Sequence, residues 1–302
     1  MLQVAMEPKA FPEYVQAVSE AGGEVAPLSP SVKGLIWLDY SQPEALSQTL
    51  DANPQIEWVQ LPFAGVDAFA EIINRPIRFT SAKGAYREPV AEHALALSLA
   101  LMRIIPERVR ATSWGRQFAE SLYDSNVLIF GGGGITEELL KLLAPFRAKV
   151  TVVRNRAIPL SGATKTVGFD QLDEELPHAD LVILASALTS QTQHAFNAAR
   201  FALMKPSAYL VNVARGPVIH TQDLIAALNN EVIAGASVDV TDPEPLPEGH
   251  ALWSAKNVII TPHSADTRKQ VVRLFSVRIR ENVIAFGKGS GWVGEVDPKF
   301  GY

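Results

Sequence analysis

Three ionisable side chains of different kinds each stand just past the end of an expected β-strand. They are Arg215 in Asn212-Val213-Ala214-Arg215-Gly216-Pro217, Glu244 in Thr241-Asp242-Pro243-Glu244-Pro245-Leu246-Pro247, and His263 in Thr261-Pro262-His263-Ser264. An arginine binds an anion, a histidine moves a proton near neutral pH, and a carboxylate beside that histidine keeps it charged. Taken one at a time, each has an ordinary reading: a surface charge at a helix start, a solvated loop acid, a turn histidine bonded to backbone. Together they supply an anion binder, a proton donor and a partner for the donor. Prolines on both sides of Glu244 fix its loop and hold the carboxylate in place. A metal centre built from Asp239, Asp242, Glu244 and His263 is the competing constellation. Acids separated by prolines, with no second histidine nearby at ligand spacing, argue against it, and no metal is expected.

A second stretch supplies a place for a phosphate-bearing cofactor. Val127-Leu128-Ile129-Phe130 is a continuous apolar run of the kind found in buried parallel strands. Gly131 to Gly134 follow, then Ile135-Thr136, and then Leu139, Leu140, Leu142 and Leu143 at helical spacing. Strand, glycine loop and helix start in that order present unpaired N–H groups and the positive end of a helix dipole to an anion. The pattern is G-x-G-x-x-T, a dinucleotide fingerprint whose third position is threonine where glycine or alanine allows close helix–strand packing. Thr136 is therefore expected to push its helix slightly outward. The next strand, Lys149 to Val153, ends in Arg154-Asn155-Arg156. An acid at this place would bind the adenosine ribose and repel a 2′-phosphate, whereas an arginine attracts that phosphate. Gly131, Gly133, Gly134, Ile135, Arg154 and Arg156 are thus expected to bind the cofactor, with NADP preferred and NAD possible.

The elements that must position these residues alternate. Strands are expected at Leu2–Ala5, Glu24–Ala26, Gly34–Leu38, Ile56–Gln60 and Ile77–Thr80, and helices at Pro12–Ala21 and Pro43–Leu50. Further strands are expected at Asp180–Ala185, Ala208–Val213, Ala234–Val240 and Val258–Thr261, with a helix at Gln222–Leu228. Alternation of this kind predicts parallel α/β sheets. Phe63-Ala64-Gly65-Val66-Asp67 follows a strand end, where its N–H groups would suit a carboxylate, or where it would simply turn the chain. Pro89 to Val109 reads as one long apolar helix suited to packing between lobes or against a second subunit. His93 on it is expected to be a packed structural histidine.

Composition sets the broad class. The chain has 302 residues, enough for two cores, and 27 Lys+Arg against 32 Asp+Glu give a net charge of −5, which argues against a nucleic-acid surface. There is no cysteine, which removes disulfides, thiolate metal sites and cysteine nucleophiles together. Met1 to Pro8 shows no secretion signal, and the apolar run from Ala94 to Ile105 is broken by Ser98 and Arg103, so no membrane span and a cytoplasmic location are expected.

Several long stretches in order, namely FAGVD, VAEH, the GGGGIT loop, MKPSAYLVNVARGP, AGASVDVTDPEPLP and TPHSA, are similar to those of the D-isomer-specific 2-hydroxyacid dehydrogenases. The resemblance implies an α/β protein of two domains, a Rossmann dinucleotide-binding domain (96–287) inserted into a flavodoxin-like substrate domain (1–95 plus 288–302). It implies helices near 90–110 and 265–287 connecting the two, and a tail, Trp292 to Asp297, that rejoins the first lobe. By motif, Arg215 would bind the substrate's carboxylate and keto oxygen, His263 would be the acid/base and Glu244 its partner. Asp239 would meet the nicotinamide carboxamide, and Ala64, Gly65 and Val66 would offer N–H groups to the carboxylate. The implied activity is hydride transfer from NADPH to a small 2-keto acid of the glyoxylate or hydroxypyruvate type, giving the D-2-hydroxy acid. A homodimer is implied as well. The alternatives are an NAD-dependent dehydrogenase of another 2-hydroxy acid and a cofactor-sensing, corepressor-like interaction protein.

Overall fold

The computed structural model describes residues 1–115 and 118–298, so the last four residues of the expected 288–302 segment lie outside it. The chain divides into two compact units, Met1–Tyr86 with Thr267–Tyr302, and Arg87–Asp266.

In the first unit, strands β1 (Leu2–Glu7), β2 (Gly23–Val25), β3 (Gly34–Trp37), β4 (Trp58–Gln60) and β5 (Arg78–Thr80) form one sheet in the order β2-β1-β3-β4-β5. Every pairing is parallel. This is the flavodoxin-like order. Helices α1 (Pro12–Glu20) and α2 (Pro43–Ala52) each open on a proline, whose fixed φ suits the first turn and whose missing N–H costs nothing there.

The second unit begins with α3 (Arg87–Met102) and α4 (Ile105–Arg110). The single helix expected over 89–109 is thus broken, and Ile104 between the pieces is left-handed with φ 50°. Pro106 explains the break, because its ring and missing N–H cannot complete a turn onto the Met102 carbonyl. That carbonyl instead accepts the N–H of Glu120 at 2.8 Å.

Then follow β6 (Asn126–Phe130), α5 (Gly134–Leu143), β7 (Lys149–Val153), β8 (Lys165–Val167), α6 (Leu172–Glu175), β9 (Leu181–Leu184), α7 (Ala198–Leu203), β10 (Tyr209–Asn212), α8 (Thr221–Asn229), β11 (Gly235–Val238) and β12 (Val258–Ile260). Their parallel sheet runs β12-β11-β10-β9-β6-β7-β8, the Rossmann order with one strand added at an edge. Alternate residues feed opposite faces. Val127 and Ile129 join Leu181, Ile183 and Val211 under α3 and α5, while Leu128 and Phe130 join Val182, Leu184 and Leu210 under α7 and α8. Burial on both faces is why these strands are apolar throughout.

The chain then returns to the first unit as α9 (Arg268–Lys288), started by a Thr267/Gln270 capping box and stopped by left-handed Gly289. Within that unit α9 packs on α1, with the Tyr14 and Phe275 rings edge-to-face at 5.3 Å. Arg278, buried, donates to the carbonyls of Ser81 and Lys83. The tail rejoins the sheet by a bridge between Thr80 and Glu295. The division expected at 95/96 and 287/288 therefore cuts two helices that the structure keeps whole. Each helix stays with the sheet or helix its apolar stripe covers, so the boundaries fall in the turns at 86/87 and 266/267.

Candidate active site

All seven strands of the second unit are parallel, so their carboxyl ends share one edge. The register aligns Phe130 with Val153 and Leu184, Leu184 with Asn212, Asn212 with Val238, and Val238 with Ile260. The residues that follow this row are Gly131, Arg154, Ala185, Val213, Asp239 and Thr261. Chain order reverses between β6 and β9, and open α/β sheets bind ligands at such a point, beyond the strand ends.

The glycine loop packs tightly on one side and opens on the other. A β-carbon on Gly131, at φ +121°, would stand 2.5 Å from the Ala185 carbonyl oxygen, whereas one on Gly133 would meet nothing within 4 Å. Gly133 caps α5 without a side chain, leaving the first turn of that ten-residue helix to an outside acceptor. Ser186 Oγ, beside the loop, is buried without a partner. Arg154 lies over the loop, its Nε 2.8 Å from where a β-carbon on Gly132 would be. Arg156 is exposed two residues further on. This cradle suits the pyrophosphate of a dinucleotide, which Gly131, Gly133, Gly134 and Ile135 would surround.

Thr136 is fully buried, and its hydroxyl donates to the Gly131 carbonyl at 2.9 Å, a hydrogen bond that ties the helix's first turn to the start of the loop.

Beyond β10, Asn212 is buried at the strand end and braces the turn. It accepts the Ala214 N–H and donates to the Arg215 carbonyl, both at 3.0 Å. The Arg215 guanidinium, half-buried, donates to the Ala214 carbonyl at 2.8 Å. Beyond β11, Asp239 is 2 % exposed. Its carboxylate accepts the Thr261 hydroxyl at 2.5 Å and the N–H groups of Ser264 and Ala265 at 2.9 and 3.3 Å. His93 Nε2, from α3, stands 3.3 Å from it. Burial pushes this carboxyl up, but the hydrogen bonds from His93, Thr261 and Ser264 outweigh it and hold it below the usual aspartate range.

Beyond β12, His263 sits in the left-handed region at φ 49°, uncommon for a residue with a β-carbon. Its N–H donates to the Asp239 carbonyl at 2.8 Å, and its Nδ1–H donates to Glu244 Oε1 at 2.6 Å. The hydrogen bond to Glu244 raises the imidazole above the ordinary histidine value against the effect of burial, helped by the Glu244 and Asp239 charges and opposed by that of Arg215. The same bond lowers Glu244, with the charges of His263 and Arg215 adding to it. The site thus brings Arg215, Glu244 and His263 within electrostatic reach of one another, though they are far apart in sequence. An imidazolium held by a carboxylate, beside a guanidinium, can protonate an oxygen that is gaining negative charge.

In the first unit, Ala64 and Gly65 are half-buried and Val66 is buried, leading from β4 into a short 3₁₀ turn, Asp67–Phe69. Three residues at the site of the second unit were given no site role from sequence. Asn212 carried a faint signal, a polar residue closing an apolar strand. Thr261 carried none, and His93 read only as packing.

Residues 94–265 match the family described as D-isomer specific 2-hydroxyacid dehydrogenase, NAD binding domain. The chain belongs to that family. Members are NAD(P)-dependent oxidoreductases acting on CH–OH groups, and this chain is one of them. It is 39% identical over 298 residues to an uncharacterized protein of Corynebacterium melassecola, covering 96% of this chain and 97% of that one. It is 31% identical over 255 residues to a glyoxylate reductase of Thermofilum pendens, covering 80% of this chain and 75% of the relative. Among solved structures, a D-isomer specific 2-hydroxyacid dehydrogenase of Xanthobacter autotrophicus in complex with NADPH and MES superposes with a TM-score of 0.86, at 26% identity, over 99% of both chains. In this dehydrogenase no helix among the described residues is long and apolar enough to cross a membrane.

Proposed function

We propose that this dehydrogenase reduces a small 2-keto acid of the glyoxylate or hydroxypyruvate type to its D-2-hydroxy acid, with NADPH preferred over NADH. The observation that carries the reading is the 2.6 Å bond between His263 and Glu244 at the strand edge that also bears Arg215. A nicotinamide coenzyme, when bound, would supply the hydride. His263, kept charged by Glu244, gives its proton to the carbonyl oxygen as that atom becomes an alkoxide. Arg215 holds the same oxygen and the carboxylate beside it, stabilising the charge that develops. Asp239 is assigned the face toward the nicotinamide carboxamide.

The preference for NADPH rests on Arg154, which stands where an NAD enzyme usually carries an acid and lies against the glycine loop. The solved relative in complex with NADPH supports the same assignment, and the glyoxylate reductase of Thermofilum pendens supports the substrate class. We also assign the protein a homodimeric state and a cytoplasmic location. Initial rates of NADPH and NADH oxidation against a panel of 2-keto acids test the reading. The expected result is turnover of glyoxylate or hydroxypyruvate, faster with NADPH. Turnover of only large or phosphorylated acids would overturn the substrate class. Tight nucleotide binding without turnover of any acid would favour a cofactor sensor instead.

A further inference from the structure

His93 lies on α3, 168 residues from the turn that carries His263, and the catalytic assignment above leaves it without a role. Its Nε2 stands 3.1 Å from the Thr261 hydroxyl and 3.3 Å from Asp239 Oδ1, and its side chain is 20% exposed. Thr261 in turn donates to Asp239 Oδ1. The Asp239 carboxylate also gathers the N–H groups of Ser264 and Ala265, while the Asp239 carbonyl accepts the N–H of His263 itself. One aspartate therefore binds the turn at 261, 263, 264 and 265, and one histidine from a separate element binds that aspartate.

A turn held this way needs its clamp. His263 has a left-handed backbone without being glycine, a conformation that persists only where surrounding contacts over-determine it. The clamp is also buried, since Asp239 is 2 % exposed, and a buried carboxylate keeps its charge only while its donors are in place. Helix α3 packs against β10 and β11, the strands that lead to Arg215 and Asp239, so it offers a rigid support for such a donor.

We propose that His93 is a positioning residue for the acid/base: it anchors the Asp239 carboxylate and the Thr261 hydroxyl to α3, and through them fixes the turn that aims His263 at Glu244. This rests on the reading of His263 as the proton donor. Among the described residues, Glu244, Arg215, Asp239 and Asp266 face His263, and Asp239 faces His93. Loosening the turn weakens the bond from His263 to Glu244, the main cause of its raised pKa. The imidazolium should then be lost at lower pH.

The test uses the full-length protein with NADPH and glyoxylate. His93→Leu removes the donor. His93→Gln keeps an amide N–H at about the reach of Nε2. We expect His93→Leu to lower kcat about 10- to 100-fold, the scale of a small misplacement of a catalytic group, with a smaller change in KM for glyoxylate. The alkaline limb of the kcat profile should move to lower pH, and His93→Gln should restore both. In a His263→Gln background, His93→Leu should add no further loss. A wild-type pH profile in His93→Leu, or an equal additional loss in the His263→Gln background, would overturn the proposal. Should His93→Leu fail to fold, Thr261→Val removes the hydroxyl from the same clamp and must show the same displacement of the alkaline limb. If His263→Gln itself turns over like the wild type, the reading of His263 has failed instead.

Discussion

A β-carbon on Gly216 would stand 1.9 Å from the carbonyl oxygen of Thr241. The turn that carries Arg215 and the loop that carries Glu244 therefore meet backbone against backbone, and only glycine permits it. No flexible side chain can yield, so Gly216→Ala must displace one segment or the other. Overpacking of this kind costs about 1–3 kcal/mol. We expect a lower melting temperature together with a fall in kcat of about tenfold or more, since both functional side chains shift. Thermal unfolding and steady-state rates on the same preparation check it.

The bond between His263 and Glu244 sets the pH behaviour. Reduction needs the imidazolium, and the bond raises the histidine pKa, so the rate should persist above the ordinary histidine value and fall at alkaline pH. Glu244→Gln removes the anion and should move that limb to lower pH. His263→Ala should lower kcat by about 10²–10⁴-fold, with KM less affected. A profile of kcat against pH for the three proteins decides this.

The same pair makes a linkage statement about stability. A histidine raised by folding contributes fully below its unfolded pKa, and that contribution is lost as pH rises through the folded value. A glutamate lowered by folding contributes above its unfolded pKa and loses this as pH falls through its own folded value. The bond is therefore fully present between roughly pH 4.3 and 6.5, the two unfolded values. Both side chains are about half exposed, at 50% and 40%, so the gain is that of a screened surface pair. Melting temperatures of wild type and Glu244→Gln should differ most inside this window and converge on either side.

Arg154→Asp should reverse the coenzyme preference. A charge-assisted hydrogen bond contributes about 1.5–3 kcal/mol, so its loss alone is worth about tenfold or more in affinity for NADPH. The new acid also gains the adenosine ribose of NADH as a partner. The ratio of kcat/KM for NADPH and NADH, before and after the change, measures it. An unchanged ratio would place the selectivity elsewhere.

Thr136→Val keeps the shape of a fully buried residue and removes its hydrogen bond to the Gly131 carbonyl. The net value of such a bond is about 1 kcal/mol. A lower melting temperature and weaker NADPH binding are expected together, because the bond joins the helix start to the loop. Calorimetric titration with NADPH gives the second readout.

Much of the fold was legible because parallel strands buried on both faces are unbroken apolar runs, as Val127–Phe130 and Leu181–Leu184 illustrate. Strand β8 was not, since Lys165-Thr166-Val167 is short, polar and at the sheet's edge. The short helices α6 and α7 have too few turns to show a period. The break at Ile104 was hidden because the apolar pattern runs straight across it, and only Pro106 signalled it. Arg215, Glu244 and His263 were readable from their places after strand ends. The brace formed by His93, Asp239 and Thr261 was not, because no local pattern records which helix face meets which strand end.

Gly132 and Arg154 share one volume, the arginine's side chain filling the space a β-carbon at 132 would take. On the proposed role of Arg154, a residue with no side chain of its own thereby takes part in coenzyme choice, because a β-carbon at 132 would force the Arg154 side chain to move. Engineering of nucleotide choice in this enzyme should co-vary the two positions. A library at 154 alone samples only the half of that landscape in which the floor beneath the arginine stays bare.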